Sequence, residues 1–361
     1  MAVDHLADML QHSMIRKADL DAERQVILEE INMHEDSPED VVHDLFTETL
    51  WPEHPLGRPI LGTTDTIAAA TPAAVKRFYR KHYVPGHLVV AAAGNFRHDE
   101  LLAMLTDRME TGPIVRSEQP SAAGAGPATG QATGQKTGQK TGQQNGQKAD
   151  WRVRAASTPP TPSGRDLIKR RKTEQANICL GTNGLERRDP DRFAFLITNT
   201  ALGGGMSSRL FQEVRERRGL AYSVYSYHAQ YTEGGLFSCY AGTTPSRAGE
   251  VIALLRRELG DVRDGGLTQA EFERAKGHVK GSMVLGLEDP GGRMSRLGKS
   301  EIAQGEILSV NETLKRLDRV TLQDARRVAE RVLSQPLTLT VLGPFSKNAF
   351  RELTDAGEAV A

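Results

Sequence analysis

Apolar residues recur at helical spacing almost from the first position. Val3, Leu6, Leu10 and Met14 lie three to four residues apart, the repeat of one helical face. Asp4 is the only start signal near them, so the chain reads as opening inside a helix. Further helices are predicted around Glu23 to Ile31, over 39–50 and over 71–82, the last following a Pro- and Gly-rich loop at 51–62. One strand candidate appears, His87-Leu-Val-Val-Ala-Ala-Ala-Gly94, and then a helix near Asp99. A lone strand does not make a stable sheet. The pattern therefore predicts that residues 1–112 are the later part of a domain whose opening strands lie outside this sequence.

In Glu23-Arg-Gln-Val-Ile-Leu-Glu-Glu30-Ile31 two glutamates sit seven positions apart. At ~100° per residue, Val26, Ile27, Leu28 and Ile31 fill one arc, with Glu23 and Glu30 inside it and Glu29 well outside. Carboxylates on a buried apolar face are costly unless paired or bound to a cation. Two explanations stand at this point. The glutamates are ion-paired at the edge of a core, or one is a metal ligand and the other its support, which needs histidines from elsewhere.

Over residues 121–150 the periodicity dissolves into Gly, Ala, Thr, Gln and Lys, with the tetrads Ala-Thr-Gly-Gln, Lys-Thr-Gly-Gln and Gln-Asn-Gly-Gln. This is a linker, with bounds at 113–164; its repeat region spans roughly 30 Å as a coil. Residues 165–361 carry the pattern of a complete α+β domain. Strands are expected at 174–181, 221–231, 235–242 and 337–342, where Tyr225, Tyr227, Phe237 and Tyr240 supply aromatic content suited to paired strands. Tyr231-Thr-Glu-Gly-Gly235 reads as a hairpin turn. Helices are expected at 191–202, 207–217, 247–264, 269–287, after Pro290 and at 322–333. Strands at both ends with helices between suit a sheet covered by helices on one face.

Composition narrows the function classes. Lys plus Arg and Asp plus Glu are equal at 46 each, so no net field points to nucleic acid or to an acidic membrane as partner. No apolar run approaches the ~18 residues of a membrane helix. Cys179 and Cys239 lack CxxC spacing and sit in strand-like segments, which marks them as small core residues. The opening residues contain no leader with a cleavage signal, so a cytoplasmic location is expected unless a leader precedes them. The triplet Asn311-Glu-Thr313 is then a chance sequon.

Two segments hold candidate chemistry. Leu202-Gly-Gly-Gly-Met-Ser-Ser208 lacks the features of a phosphate loop. It reads as a turn that lets the backbone pass close to something, with a serine capping the helix that begins near Ser208. Farther on, Arg215 falls near a helix end and Tyr222 at the start of the next strand. A guanidinium and a phenol sharing a cleft can orient a peptide carbonyl or stabilise an oxyanion. The alternative is an arginine favouring its helix C-terminus and an ordinary sheet tyrosine.

The glutamate run with Glu35-Asp-Ser-Pro-Glu-Asp40, His54-Pro-Leu-Gly-Arg-Pro-Ile-Leu-Gly62, His82-Tyr83 with Gly94-Asn95, and Leu202-Gly-Gly-Gly through Arg215 to Gly219-Leu-Ala-Tyr222 together resemble the pitrilysin and insulinase type of zinc metallopeptidase. The closer likeness is to its bacterial branch, similar to the mitochondrial processing peptidase. It covers nearly the whole chain outside the linker. The resemblance implies two homologous sheet-plus-helix domains, the first incomplete here. It also implies an extended peptide or unfolded protein as substrate, added as a strand to a sheet edge, and a homo- or heterodimeric assembly. Zinc in that family is held by two histidines of an HxxEH helix and a later glutamate, which matches Glu30; Glu23 matches the catalytic carboxylate supporting that site. The HxxEH glutamate is the general base on a zinc-bound water. Arg215 and Tyr222 match the second-domain pair that contacts substrate.

One departure matters. None of the ten histidines forms HxxEH or HExxH, and one carboxylate does not hold a zinc ion that ordinarily needs three protein ligands. His34, four residues past Glu30, reads as an ordinary satisfied histidine. Two readings follow. The chain is a metalloendopeptidase lacking its N-terminus, inactive as written and expected to be unstable ahead of the linker, or a non-catalytic peptide-binding subunit whose partner supplies zinc.

Overall fold

A computed structural model describes residues 1–109 and 158–355. In chain order the first part forms α1 (Ala2–Gln11), α2 (Lys17–Asp36), α3 (Pro38–Leu50), α4 (Thr64–Ala68), α5 (Pro72–His82) and α6 (His98–Met109). The second part forms β1 (Asp166–Arg170), β2 (Ala176–Gly184), α7 (Arg192–Gly203), β3 (Ala221–Gln230), β4 (Gly235–Thr243), α8 (Ala248–Gly265) and α9 (Gln269–Leu285). It continues through α10 (Pro290–Lys299), α11 (Val310–Arg319), α12 (Leu322–Leu333), β5 (Thr338–Gly343) and α13 (Arg351–Asp355). The expected linker repeat falls outside the described residues.

The described residues divide into two compact units. One holds 1–20, 70–90 and 94–109, and the other 21–69, 91–93 and 158–355. Within the first, α1 meets α6: Gln11 donates to the Arg108 carbonyl at 2.5 Å and Arg108 pairs with Asp4 at 2.9 Å. Tyr79 of α5 donates to the Leu10 carbonyl. Thr71 caps α5 by accepting from the Ala74 N–H, and Pro72 occupies its first turn, where a missing N–H costs nothing. The strand expected at 87–94 is not formed: residues 88–93 are irregular after a single tight turn at Pro85–His87. The apolar run is there, but among the described residues no strand pairs with it, and an unpaired strand has no ladder to hold it.

The larger unit is built on a five-stranded sheet in the order β1-β5-β2-β4-β3, with β1 and β5 parallel and the other neighbours antiparallel. Successive side chains alternate faces, and the two faces have different covers. Ile178 and Leu180 of β2, Phe237, Cys239 and Ala241 of β4, and Leu339 and Val341 of β5 pack with α7, α8 and α12 in one core. Cys179, Leu236, Tyr240 and Leu342 point the other way, onto Val41, Val42, Phe46, Leu50 and Trp51 of α3 and the turn after it. Helices were expected on one face only; α3, from the other end of the sequence, closes the second. Hydrogen bonds fix it there: the Trp51 indole N–H donates to the Asn183 side-chain oxygen at 2.6 Å, and the Ser163 backbone N–H donates to the Leu50 carbonyl at 3.0 Å.

β2 to β5 lie within a few residues of their expected places, and the 231–235 break is the hairpin between β3 and β4. β1 and α11 were not anticipated. Asp-Leu-Ile-Lys-Arg is five residues long with exposed charged ends, too short for its period to stand out. Both cysteines are buried and free, and burial pushes their thiols far up, so they are inert core residues. At Gly203 an added Cβ would lie 2.2 Å from the Ser226 nitrogen of β3, which is the close approach expected of the glycine run. The serine cap does not form: the Ser208 hydroxyl is buried without a hydrogen-bond partner.

Candidate functional site

The segment after the glycine run widens into a π-type helical turn at Phe211–Glu216, a local form often met at functional sites. Gly219 ends it with φ of 56°, a left-handed conformation that glycine adopts without strain. The Leu220 N–H closes back on the Val214 carbonyl at 2.9 Å. Immediately afterwards the register of β3 against β4 shifts between Ala221 and Ser223, a bulge at Tyr222 of the kind that re-aims a side chain. Tyr222 consequently stands 78% exposed.

Arg215 is brought to it. Its Nη1 donates to the Tyr222 carbonyl at 2.8 Å. Its guanidinium carbon lies 4.7 Å from the Tyr222 ring centre and 4.9 Å from that of Phe211, inside the range of cation–π attraction. Arg215 therefore holds both the backbone and the ring of an exposed phenol, leaving the phenol O–H free to bond a ligand. The arginine and tyrosine singled out in the sequence are one unit. Phe211, the second ring under the guanidinium, was not anticipated; its place one turn before Arg215 was the available signal.

The two glutamates are placed differently from the buried pair expected. In α2 the inward residues are Arg24, Ile27, Leu28, Ile31 and His34, with Ile31 7% exposed. Glu23 and Glu30 are both exposed and share their side of the helix with Val26, 51% exposed, and Met33, 67% exposed. The apolar arc inferred from the sequence is real, but only its Ile27, Leu28 and Ile31 part is covered. Neither glutamate makes a salt bridge with a described residue at 4.0 Å or less.

Among the described residues no group of three or more His, Cys, Asp and Glu side chains is arranged to hold a metal ion. His34, the nearest histidine in sequence to Glu30, is engaged by Asp44 at 2.9 Å.

Sequence reasoning passed over His43, in α3. Its Nδ1 is 2.7 Å from the Tyr227 hydroxyl and its Nε2 3.0 Å from that of Tyr225, which donates to Glu39 at 3.1 Å. Because Tyr225 uses its proton on Glu39, its oxygen accepts from Nε2–H, so Nδ1 carries the lone pair and accepts from Tyr227. A directed chain results, Tyr227 to His43 to Tyr225 to Glu39. Burial lowers the His43 pKa against the pull of Glu39, Asp40 and Asp44, keeping the ring neutral as this chain requires. The signal in the sequence was a histidine in helical register with Phe46 and Leu50, on the apolar side of a helix.

Comparison with known proteins supplies the lineage. Residues 69–278 match the family model described as the peptidase M16 inactive domain, and residues 1–64 match that of the insulinase, or M16, peptidases. The chain belongs to the M16 peptidase family. An uncharacterised zinc protease of Streptomyces coelicolor is 47% identical over 358 residues, 99% of this chain and 72% of that protein. One of Bacillus subtilis is 33% identical over 343 residues, 95% of this chain and 75% of that protein. The crystal structure of a peptidase M16 inactive domain from Pseudomonas fluorescens superposes with a TM-score of 0.78 at 20% identity, covering 96% of this chain and 74% of that one. A chain of complex III2 from Candida albicans gives 0.76 at 18% identity, covering 98% and 79%. The M16 likeness seen in the motifs and the α+β fold it implied are both correct. Zinc is thus the metal named for the relatives, while this chain's described residues hold no cluster for it. Among the described residues no helix is long and apolar enough to cross a membrane.

Proposed function

We propose that this chain is the peptide-gripping part of an M16 zinc endopeptidase system and does not cleave peptides unaided. The observation that carries the reading is the Arg215–Tyr222 unit, an exposed phenol fixed by a guanidinium at 2.8 Å from its own carbonyl. An extended peptide offers carbonyl oxygens at a regular spacing, and a pre-positioned O–H with an adjacent cation bonds one without first paying to order a side chain. Glu30 is assigned as the last zinc ligand and Glu23 as its supporting carboxylate, in a half-site whose histidines are not in this sequence. Exposure of both suits ligands that await the rest of their site, and the pair favours a peptidase over a purely structural subunit, which has no chemical need for it.

The second reading, a non-catalytic subunit beside a zinc-bearing partner, predicts the same grip. Zinc content and cleavage of an unfolded protein substrate by the purified chain, alone and mixed with an HxxEH-bearing homologue, separate the cases. Stoichiometric zinc with cleavage by the chain alone would overturn the proposal. Cleavage only in the mixture that persists in a Glu30→Gln variant would favour the non-catalytic subunit. For the grip itself, fluorescence anisotropy with a labelled unstructured peptide is expected to show binding weakened roughly tenfold by Arg215→Ala, equivalent to ~1.4 kcal/mol. Unchanged binding would dismiss the assignment of that residue.

A further inference from the structure

The loop ahead of α7 and the adjoining parts of α11 and α12 line a cavity of about 450 Å³ in which charged side chains stand beside an apolar wall. Arg188, Arg192, Arg316 and Arg319 line it, against the two acids Asp191 and Asp324. Both acids are already engaged. Asp191 accepts from Arg327 at 2.6 Å and from Arg331 at 3.4 Å. Asp324 accepts from Arg327 at 3.1 Å and from the Thr321 hydroxyl at 2.6 Å. Two of the lining arginines are also satisfied, since Glu306 takes Arg192 at 3.2 Å and Arg316 at 3.1 Å.

Arg188 and Arg319 are the remainder. Among the described residues neither has an ion pair. Two guanidiniums on the wall of one cavity, with both lining carboxylates already occupied, leave an excess of positive charge that those carboxylates do not answer. Asp191 underlines the point. It stands at the N-cap of α7 but makes no capping hydrogen bond, because Arg327 and Arg331 hold its carboxylate instead.

We propose that this cavity binds a ligand carrying paired oxyanions, either phosphate groups or neighbouring carboxylates, through Arg188 and Arg319. The planar donor fork of arginine matches both groups in bidentate fashion, and Val320 and Pro190 give the rest of the ligand an apolar wall. The site does not depend on the peptide grip at Arg215.

Titration calorimetry of the full chain at low ionic strength, with inorganic pyrophosphate and separately with tetraglutamate, tests it. Saturable binding of at least one probe is expected, weakened about tenfold or more in the Arg188→Ala, Arg319→Ala double variant. Pyrophosphate binding alone identifies phosphate as the source of the oxyanions, and tetraglutamate binding alone identifies an acidic peptide. Both side chains are exposed, so the variant should melt at the wild-type temperature, and a matching melt guards the comparison. Absence of saturable binding by both probes, or equal affinity in the double variant, overturns the proposal.

Discussion

α2 and α3 are consecutive helices of similar register in the sequence, each with an apolar arc and a scatter of acids, and the fold treats them in opposite ways. α3 lays Val42, Phe46 and Leu50, all fully buried, across one face of the sheet. α2 buries Ile31 but leaves Val26 and Met33 more than half exposed beside Glu23 and Glu30. The lesson is that amphipathicity offers a face for burial and does not by itself find a partner for it. α3 meets a sheet whose Cys179, Tyr240 and Leu342 need a cover; among the described residues nothing equivalent covers the outer part of α2.

This contrast can be broken by measurement. Phe46→Ala should cost about 3–5 kcal/mol of unfolding free energy, the usual range for emptying a fully buried aromatic site, read from urea denaturation. If Val26→Ala costs a similar amount, the outer face of α2 is packed and the contrast fails. Gly57 follows α3 in the turn that returns the chain. A Cβ there would sit 2.1 Å from the Trp51 carbonyl oxygen, so Gly57→Ala should destabilise by about 1–3 kcal/mol through forced backbone shifts. An unchanged melting temperature would show that this turn does not hold α3 in place.

His43 sharpens the same comparison through pH. Burial makes the folded protein bind the imidazole proton less tightly than the unfolded chain does. The stability from this group is therefore complete above the ordinary histidine pKa of about 6.5 and falls as the pH drops below it. Protonation also turns Nδ1 from an acceptor into a donor facing the Tyr227 hydroxyl. His43→Phe should cost about 1–3 kcal/mol at neutral pH and flatten the decline on acidification. An identical pH profile in the variant would rule out His43 as its source. The smallest effect belongs to α2: Glu23→Gln and Glu30→Gln should each change stability by less than ~0.5 kcal/mol, as exposed positions do. A larger loss would mean that these carboxylates have structural partners.

Most helices and four of the strands were legible because their apolar periods run long enough to declare themselves, as in the 322–333 helix found at those bounds. Arg215 and Tyr222 were legible as residue types at a helix end and a strand start. The bulge that exposes the phenol was not, because it depends on how β3 registers against β4; Phe211, one helical turn before Arg215, left only its spacing as a signal. The strand expected at 87–94 misled for a related reason: Leu88, Val89 and Val90 have strand-forming composition, but a strand exists only with its neighbour.

By itself the sequence determined the local periods, the inert cysteines, the Arg215–Tyr222 spacing, the M16 motifs and the absence of an HxxEH histidine pair. These follow from residue identity and short-range geometry. Tertiary structure alone decided that α3 closes the second face of the sheet, that His43 threads two tyrosines to Glu39, and that Glu23 and Glu30 stand in the open. Each depends on which distant surface a side chain meets, and a pattern along one chain records which faces can be buried without recording what will bury them.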